Sequence, residues 1–125
     1  MPRREEVSEF LSDFKTAVRL GFVHWMERAD STRKHQQCLV DLNLTLNQAV
    51  ELLSELTPDD YCQGPEADDV QPSRSVWVFG TDIGSDEVYI KLTLQPDNRR
   101  KSVVHGLVWS FHRADYPLKY PLRGP

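Results

Sequence analysis

The spacing of apolar residues changes once along the chain, and this change limits the fold more than any other feature. From Glu5 to Leu56 apolar side chains recur mainly every three or four residues, as in helices with one buried face. From Val76 to His112 they alternate with polar residues, as in strands. Because the helices precede the strands instead of alternating with them, the order predicts an α+β domain.

The first half is predicted to be helical over residues 1–61. One helix spans Glu5–Leu20 and is followed by Gly21 as a C-cap, and a second begins at the N-cap Ser31 and runs to about Leu42. The pattern of Thr45 with Gln48 three residues later is typical of a capping box that opens a third helix. A further turn is expected at Thr57-Pro58, whereas residues 22–26 fit either a strand or a crossing between helices.

The second half is predicted to be a small antiparallel sheet. Residues 62–75 are rich in Gly, Pro, Asp and Ser, so we expect a polar loop there. Strands at Val76–Gly80, Glu87–Gln95 and Val103–His112 are separated by short turns, which indicates a three-stranded meander over residues 76–113 with the helices packed on one face. A basic Tyr-Pro tail, residues 114–125, completes a single domain, residues 1–125.

Strand alternation assigns side chains to the two faces of this sheet. In the middle strand Val88, Ile90, Leu92 and Leu94 should face the helices, so that Tyr89, Lys91 and Thr93 face the open side. In the last strand we expect Trp109 and Phe111 on the core side. His112 would then share the open face with Tyr89 and Lys91.

Composition restricts the class of protein. A chain of 125 residues suffices for one core. No segment approaches the ~20 apolar residues of a membrane span, and the first nine residues are too charged for a signal peptide. We therefore expect a cytoplasmic protein with no membrane partner. In that compartment Cys38 and Cys62 should be free thiols. The net charge is −4, but residues 41–70 contain eight acids and no Lys or Arg, whereas residues 99–125 contain six bases and one acid. Each charged segment also fits a solvated surface.

Metal and nucleophile chemistry are poorly supported by the sequence. His35-x-x-Cys38 is half of a zinc-ligand spacing, but a second Cys/His pair is missing, so we expect no metal and no cofactor. Cys62 lies among acidic residues, which raise the pKa of a thiol and oppose nucleophilic catalysis.

The remaining polar set fits RNA chemistry. Cleavage of RNA through its own 2′-hydroxyl needs a base, an acid and cations for the phosphate charge. Histidine, with an ordinary pKa of about 6.5, serves either proton role. The predicted catalytic residues are Tyr89, Lys91, His112 and Arg113. Aromatic and basic residues of the tail resemble those that hold single-stranded RNA, and the predicted RNA-binding residues are Tyr116, Lys119, Tyr120 and Arg123. Alternation of Tyr and Lys also occurs on ordinary exposed strands.

The order of short motifs resembles the MqsR (motility quorum-sensing regulator) toxin family of the RelE-like ribonuclease superfamily. The parts are Asp60-Tyr61 at a helix end, a polar loop, the strands VWVFG and VYIKLTL, and a closing strand that ends in SFH. The resemblance covers roughly residues 45–113. It implies a RelE-like fold and a bacterial type II toxin that cleaves messenger RNA without a metal and is held inactive by a cognate antitoxin protein.

Only some of the family's functional residues are present at the corresponding positions of this chain. Tyr89 falls on the family's active-site Tyr, and Lys91 on the Lys two residues later. His112 occupies the position of a functional Lys, whereas Cys62 and Val78 replace a Lys and a Gln. Two alternatives follow: either His112 and Arg113 supply the proton and charge roles, or the chain is a non-catalytic interaction module that binds RNA or a protein partner. A solute-binding domain is a third option.

Overall fold

The computed structural model describes residues 2–26, 29–68, 71 and 74–124, with only the backbone of 29–33 described. The α+β prediction is confirmed within these ranges. In chain order the elements are α1 (Arg4–Arg19), β1 (Val23–Trp25), α2 (Ala29–Asp41), α3 (Leu46–Ser54), a 3₁₀ turn (Pro58–Asp60), β2 (Tyr61–Ala67), β3 (Ser75–Ile83), β4 (Asp86–Pro96) and β5 (Val104–Arg113). Among the described helices none is long and apolar enough to cross a membrane.

Local sequence signals explain the helix ends. Gly21, with φ of +76°, follows the C-cap residue Leu20 of α1 and adopts a left-handed conformation that glycine reaches without strain. The capping box that opens α3 is confirmed, because Gln48 N donates to Thr45 Oγ1 at 3.1 Å and Thr45 N donates to Gln48 Oε1 at 2.8 Å. The predicted cap at Ser31 is wrong, since α2 already begins at Ala29. Ser31 therefore lies in the first turn of α2, a position that serine tolerates although it favours caps.

The sheet is larger than predicted. It has five strands in the order β1-β5-β4-β3-β2, and every pair is antiparallel except β1 with β5. The prediction of three strands is therefore wrong, because it omitted the two edge strands. β1 has only three residues, too few for a periodicity, and β2 contains the sequence Gly64-Pro65-Glu66, which resembles a loop. Four positions of the predicted 62–75 loop, residues 69, 70, 72 and 73, lie outside the described ranges.

The core lies between the helices and one face of the sheet. Val88, Ile90 and Leu92 of β4 are completely buried, as alternation predicted, and Phe10 of α1 stacks on Trp77 of β3 with ring centroids 4.7 Å apart. Burial of aromatic and branched side chains on this scale is the main stabilising contribution to a domain of this size. The described helices all pack on the core side, and the opposite face of the sheet is called the open face below.

A bulge in β5 changes which residues of that strand reach the core. Lys91 pairs with Ser110, but the next residue of β4 pairs with Val108, so Trp109 is an extra residue. The predicted core position of Trp109 is wrong, because its indole nitrogen donates to Thr93 Oγ1 at 3.1 Å on the open face. Beyond the bulge alternation holds, and Phe111 is completely buried.

Helix α2 covers the edge of β5 where the short strand β1 ends. His35 Nε2 donates to the Trp109 carbonyl oxygen at 3.1 Å. The His35 side chain is buried, so it satisfies a backbone group that a longer β1 would otherwise pair.

Candidate functional site

The open face brings Tyr89 and His112 into direct contact. The two residues are opposite each other in β4 and β5, and their rings stack with centroids 5.1 Å apart and planes 17° apart. Cross-strand neighbours on one face of an antiparallel pair lie close enough for such contacts. The sequence prediction that these side chains share one face agrees with this arrangement.

The backbone holds one nitrogen of the His112 imidazole. His112 Nδ1 lies 2.9 Å from the Arg113 carbonyl oxygen, and because a carbonyl only accepts hydrogen bonds, Nδ1 carries the hydrogen. In the neutral ring the lone pair is then on Nε2, for which no hydrogen-bond partner exists among the described residues. The half-buried ring is thus oriented with its basic nitrogen available.

Tyr89 is held in its neutral form. Burial raises the pKa of its hydroxyl, and the nearby groups Tyr116, Glu66 and Cys62 raise it further. A neutral phenol both donates and accepts a hydrogen bond. The effect of Tyr116 also shows that the tail brings this exposed aromatic ring near Tyr89.

Lys91 lies two residues along β4 on the same face. It pairs with Ser110 on one side and with Val78 on the other, and its side chain is half-buried. No carboxylate of the described chain forms an ion pair with it. The ammonium group is therefore free to meet an anion on the open face.

Arg113 is positioned differently from the other three predicted catalytic residues. It pairs with Val88, so its side chain leaves the strand on the face opposite to His112, and its Nη2 donates to Asp41 Oδ2 at 2.7 Å. His112 and Arg113 still line one cleft of about 200 Å³ beside α2, together with Lys34 and Gln37. Sequence analysis missed these last two residues because only the packing of α2 on β5 brings them there.

The tail packs across the end of the open face. Glu87 accepts hydrogen bonds from Leu118 N at 2.8 Å and from the Tyr120 hydroxyl at 2.7 Å. Arg123 lies over the Tyr120 ring, 3.7 Å from its centroid, and Nε donates to the Asp59 carbonyl oxygen at 2.9 Å. Of the predicted RNA-binding residues, Tyr116 and Lys119 are exposed, whereas Tyr120 and Arg123 hold the tail in place.

A second polar cluster lies at the other end of the open face. His24 Nε2 is 2.8 Å from His105 Nδ1, and His105 Nε2 is 2.8 Å from Asp97 Oδ1. Three side chains from β1, β5 and the β4–β5 turn thus form one hydrogen-bonded chain. Sequence analysis did not select these residues, and the available signal was that His24 and His105 each interrupt an apolar stretch of sequence.

The two cysteines are free thiols, as predicted. Burial, followed by the charge of Glu87, raises the pKa of Cys62 to about 12, and burial raises the pKa of Cys38. Neither thiol is activated as a nucleophile. Among residues with described side chains, no group of three or more His, Cys, Asp or Glu is arranged to hold a metal ion.

No family model, curated protein or solved structure matches the chain.

Proposed function

We propose that the chain is a single-stranded RNA-binding endoribonuclease whose site is the open face around Tyr89 and His112. The observation that supports this most directly is the stacked Tyr89–His112 pair, in which a backbone carbonyl orients the imidazole and leaves Nε2 free. A base, a neutral hydroxyl and an unpaired cation on one exposed face are the groups that transesterification of RNA requires.

The proposed reaction uses the substrate's own 2′-hydroxyl. His112 Nε2 takes the 2′-hydroxyl proton while the 2′-oxygen attacks phosphorus, and the bond from phosphorus to the 5′-oxygen breaks. The Tyr89 hydroxyl donates its proton to the leaving oxygen, and Lys91 stabilises the charge on the phosphate oxygens. The step leaves a protonated His112 and a Tyr89 phenolate, and transfer of that proton through solvent restores both groups. The products are a 2′,3′-cyclic phosphate and a 5′-hydroxyl, so no water or co-reactant enters this step.

Arg113 and the tail contribute to binding in this proposal. Arg113 would contact a phosphate in the cleft beside α2 if that phosphate replaced its partner Asp41. Tyr116 and Lys119 are exposed beside the site, where they would stack on a base and contact the backbone. Tyr120 and Arg123 would act by holding this segment against Glu87 and Asp59.

A product assay tests the cleavage step. We expect the purified protein to cleave a single-stranded RNA into fragments with 2′,3′-cyclic phosphate ends, and to leave the same sequence with 2′-O-methyl groups intact. His112→Gln should reduce the rate by about 10²- to 10⁴-fold. The control Asn47→Ala, an exposed position of α3, should retain the wild-type rate. Binding of RNA without cleavage by the wild type would refute the enzyme and favour the non-catalytic module.

We further propose, from the motif order alone, that the fold is RelE-like and that the protein is a toxin restrained by a cognate antitoxin in the cytoplasm of a bacterium. Expression of the wild type should then arrest growth, and expression of His112→Gln should not. A gene beside this one that restores growth would identify the antitoxin. Equal growth of cells that express the two proteins at the same level would contradict the toxin assignment.

A further inference from the structure

The β4–β5 turn is held in one conformation by Asp97. Its Oδ2 accepts hydrogen bonds from the backbone N–H groups of Arg99 at 3.0 Å and Arg100 at 2.9 Å, and Oδ1 accepts from His105 Nε2 at 2.8 Å. The Asp97 N–H donates to the Val103 carbonyl oxygen at 2.8 Å. Both carboxylate oxygens are therefore occupied, and neither forms an ion pair with a lysine or arginine side chain of the turn.

The three bases of this turn differ from most arginines elsewhere in the chain. Arg3, Arg4, Arg74, Arg113 and Arg123 each lie within 4 Å of a carboxylate. Arg99, Arg100 and Lys101 are exposed, and no ion pair joins them to any residue that the structure describes. In a chain with a net charge of −4 they form a local positive surface on a fixed backbone.

The histidine pair adds two ring systems to this surface. Asp97 accepts the Nε2 hydrogen of His105, so Nδ1 of the neutral ring accepts a hydrogen bond from His24 Nε2. The two ring centroids are 5.0 Å apart, close to the sum of a 2.8 Å hydrogen bond and the two ring radii, so the nitrogens point at each other. The chain of hydrogen bonds from His24 to Asp97 therefore fixes both rings beside the turn.

Register places this cluster on the same face as Tyr89 and His112. His105 pairs with Gln95, His24 pairs with Leu107, and both histidines lie on the open side of the sheet. The β4 partners of His105 and His112 are Gln95 and Tyr89, which are six positions apart, and at ~3.3 Å per residue this is roughly 20 Å. A single strand of nucleic acid that enters at one end of the face can therefore reach the other.

From this arrangement we propose that Arg99, Arg100 and Lys101 of the β4–β5 turn, beside the pair His24–His105, form a second anion site, which binds backbone phosphates of the RNA held at Tyr89 and His112. The identity of the ligand as RNA rests on the proposed function. The anion site itself rests on the three bases without ion pairs, which stand on a turn that Asp97 holds in one conformation. Phosphate contacts of this kind set the position of a strand without reading its sequence.

RNA binding tests the proposal with two variants of equal charge. Arg99→Gln/Arg100→Gln removes two bases of the turn, and Lys15→Gln/Arg19→Gln removes two unpaired bases of α1. The probe is a single-stranded RNA with 2′-O-methyl groups, which cannot be cleaved by the proposed reaction. For a single strand, each phosphate contact contributes ~0.7 to the magnitude of the slope of log K against log salt. Loss of two contacts should therefore reduce this magnitude by about 1.4 and weaken binding about 25-fold at 0.1 M salt. Only the turn variant should show this change. Equal effects in the two variants, or none in either, would overturn the proposal.

A second measurement separates this proposal from the proposed ribonuclease. Titration of the wild type with inorganic pyrophosphate should shift the ring nitrogen resonances of His24 and His105 in a saturable way and leave those of buried His35 unchanged. The shifts should weaken in Arg99→Gln/Arg100→Gln. Saturable shifts in a protein that neither binds nor cleaves RNA would support the anion site and refute RNA as its ligand. The absence of any shift would refute the site itself, whatever the protein does to RNA.

Discussion

Tyr89 and His112 stack across two antiparallel strands with their ring planes 17° apart, and this contact joins the two groups to which we assign proton transfer. A stacked pair restricts the rotation of both rings. The carbonyl of Arg113 fixes the tautomer of His112, so the orientation of the imidazole and the position of its lone pair in the neutral ring are set before a substrate binds.

Removal of one oxygen atom tests the role of this pair. Tyr89→Phe retains the stacking surface and removes only the hydroxyl that we assign to the leaving group. We expect the cleavage rate to fall by about 10²- to 10⁴-fold, with the affinity for 2′-O-methyl RNA within twofold of the wild type. Rates from single-turnover cleavage and affinities from fluorescence polarisation give the two values. A change in affinity with an unchanged rate would contradict the assignment of Tyr89 as a proton donor.

The pair was predictable from the sequence because side chains alternate regularly between the two faces along β4 and along residues 110–113 of β5. No irregularity intervenes between Ser110 and Arg113, so alternation assigned Phe111 to the core and His112 to the open face correctly. The same rule failed for Trp109, because a single extra residue exchanges the faces of all positions beyond it. A bulge of this kind has no signal in an apolar pattern such as Leu107-Val108-Trp109.

The chain of His24, His105 and Asp97 was not predictable for a different reason. It depends on a parallel pairing between β5 and a three-residue edge strand, and the two histidines are 81 positions apart in sequence. Hydrophobic periodicity contains no information about which distant strand lies next to which. The cleft residues Lys34 and Gln37 were missed likewise, because the docking of α2 on the free edge of β5 positions them.

Acid titration tests the hydrogen bonds of Asp97. His105, followed by the N–H groups of Arg100 and Arg99, lowers the pKa of this carboxyl from its ordinary value of 3.8 to about 2. A carboxyl whose pKa is lowered by folding contributes its full stabilisation at pH values above the ordinary pKa. This contribution is lost as the pH falls from about 4 to about 2. Thermal unfolding of Asp97→Asn should therefore show a lower Tm at pH 7, and the Tm difference from the wild type should shrink towards pH 2. Asp13→Asn, an exposed carboxyl of α1 with no ion pair, is the control and should follow the wild type.

Thiol reactivity tests the environment of Cys62. With a pKa of about 12, the thiolate fraction at pH 8 is on the order of one in ten thousand, so alkylation by iodoacetamide should be at least about a hundredfold slower than for an exposed cysteine. Buried Cys38 should also resist the reagent. Peptide mass spectrometry measures both sites in one sample, and the urea-unfolded protein, in which both should react rapidly, is the control. Rapid labelling of Cys62 in the folded protein would contradict its placement beside Glu87 beneath the tail.

Substitution of Gly80 tests whether the position of the tail depends on a residue without a side chain at this point of the sheet. This residue pairs with Tyr89 on the open face, and a Cβ atom added to it would lie 2.5 Å from Leu118 Cδ1 and 2.6 Å from the Tyr120 hydroxyl oxygen. Both atoms are the ends of flexible side chains, so Gly80→Ala should displace the tail and leave the strand intact. The hydrogen bonds from Leu118 N and Tyr120 to Glu87 would then be lost.

Hydrogen exchange measures this displacement directly. The Leu118 amide should exchange at least tenfold faster in Gly80→Ala than in the wild type, whereas the amides of Ile90 and Phe111 in the central strands should remain protected. Gly124→Ala is the matched control, because a Cβ atom at that position of the same tail has no neighbour within 4 Å among the described residues. Displacement also moves Tyr116 away from Tyr89, so the same variant should bind 2′-O-methyl RNA more weakly if the tail contacts RNA. Unchanged exchange at Leu118 would show that the tail accommodates the methyl group and that its position does not depend on Gly80.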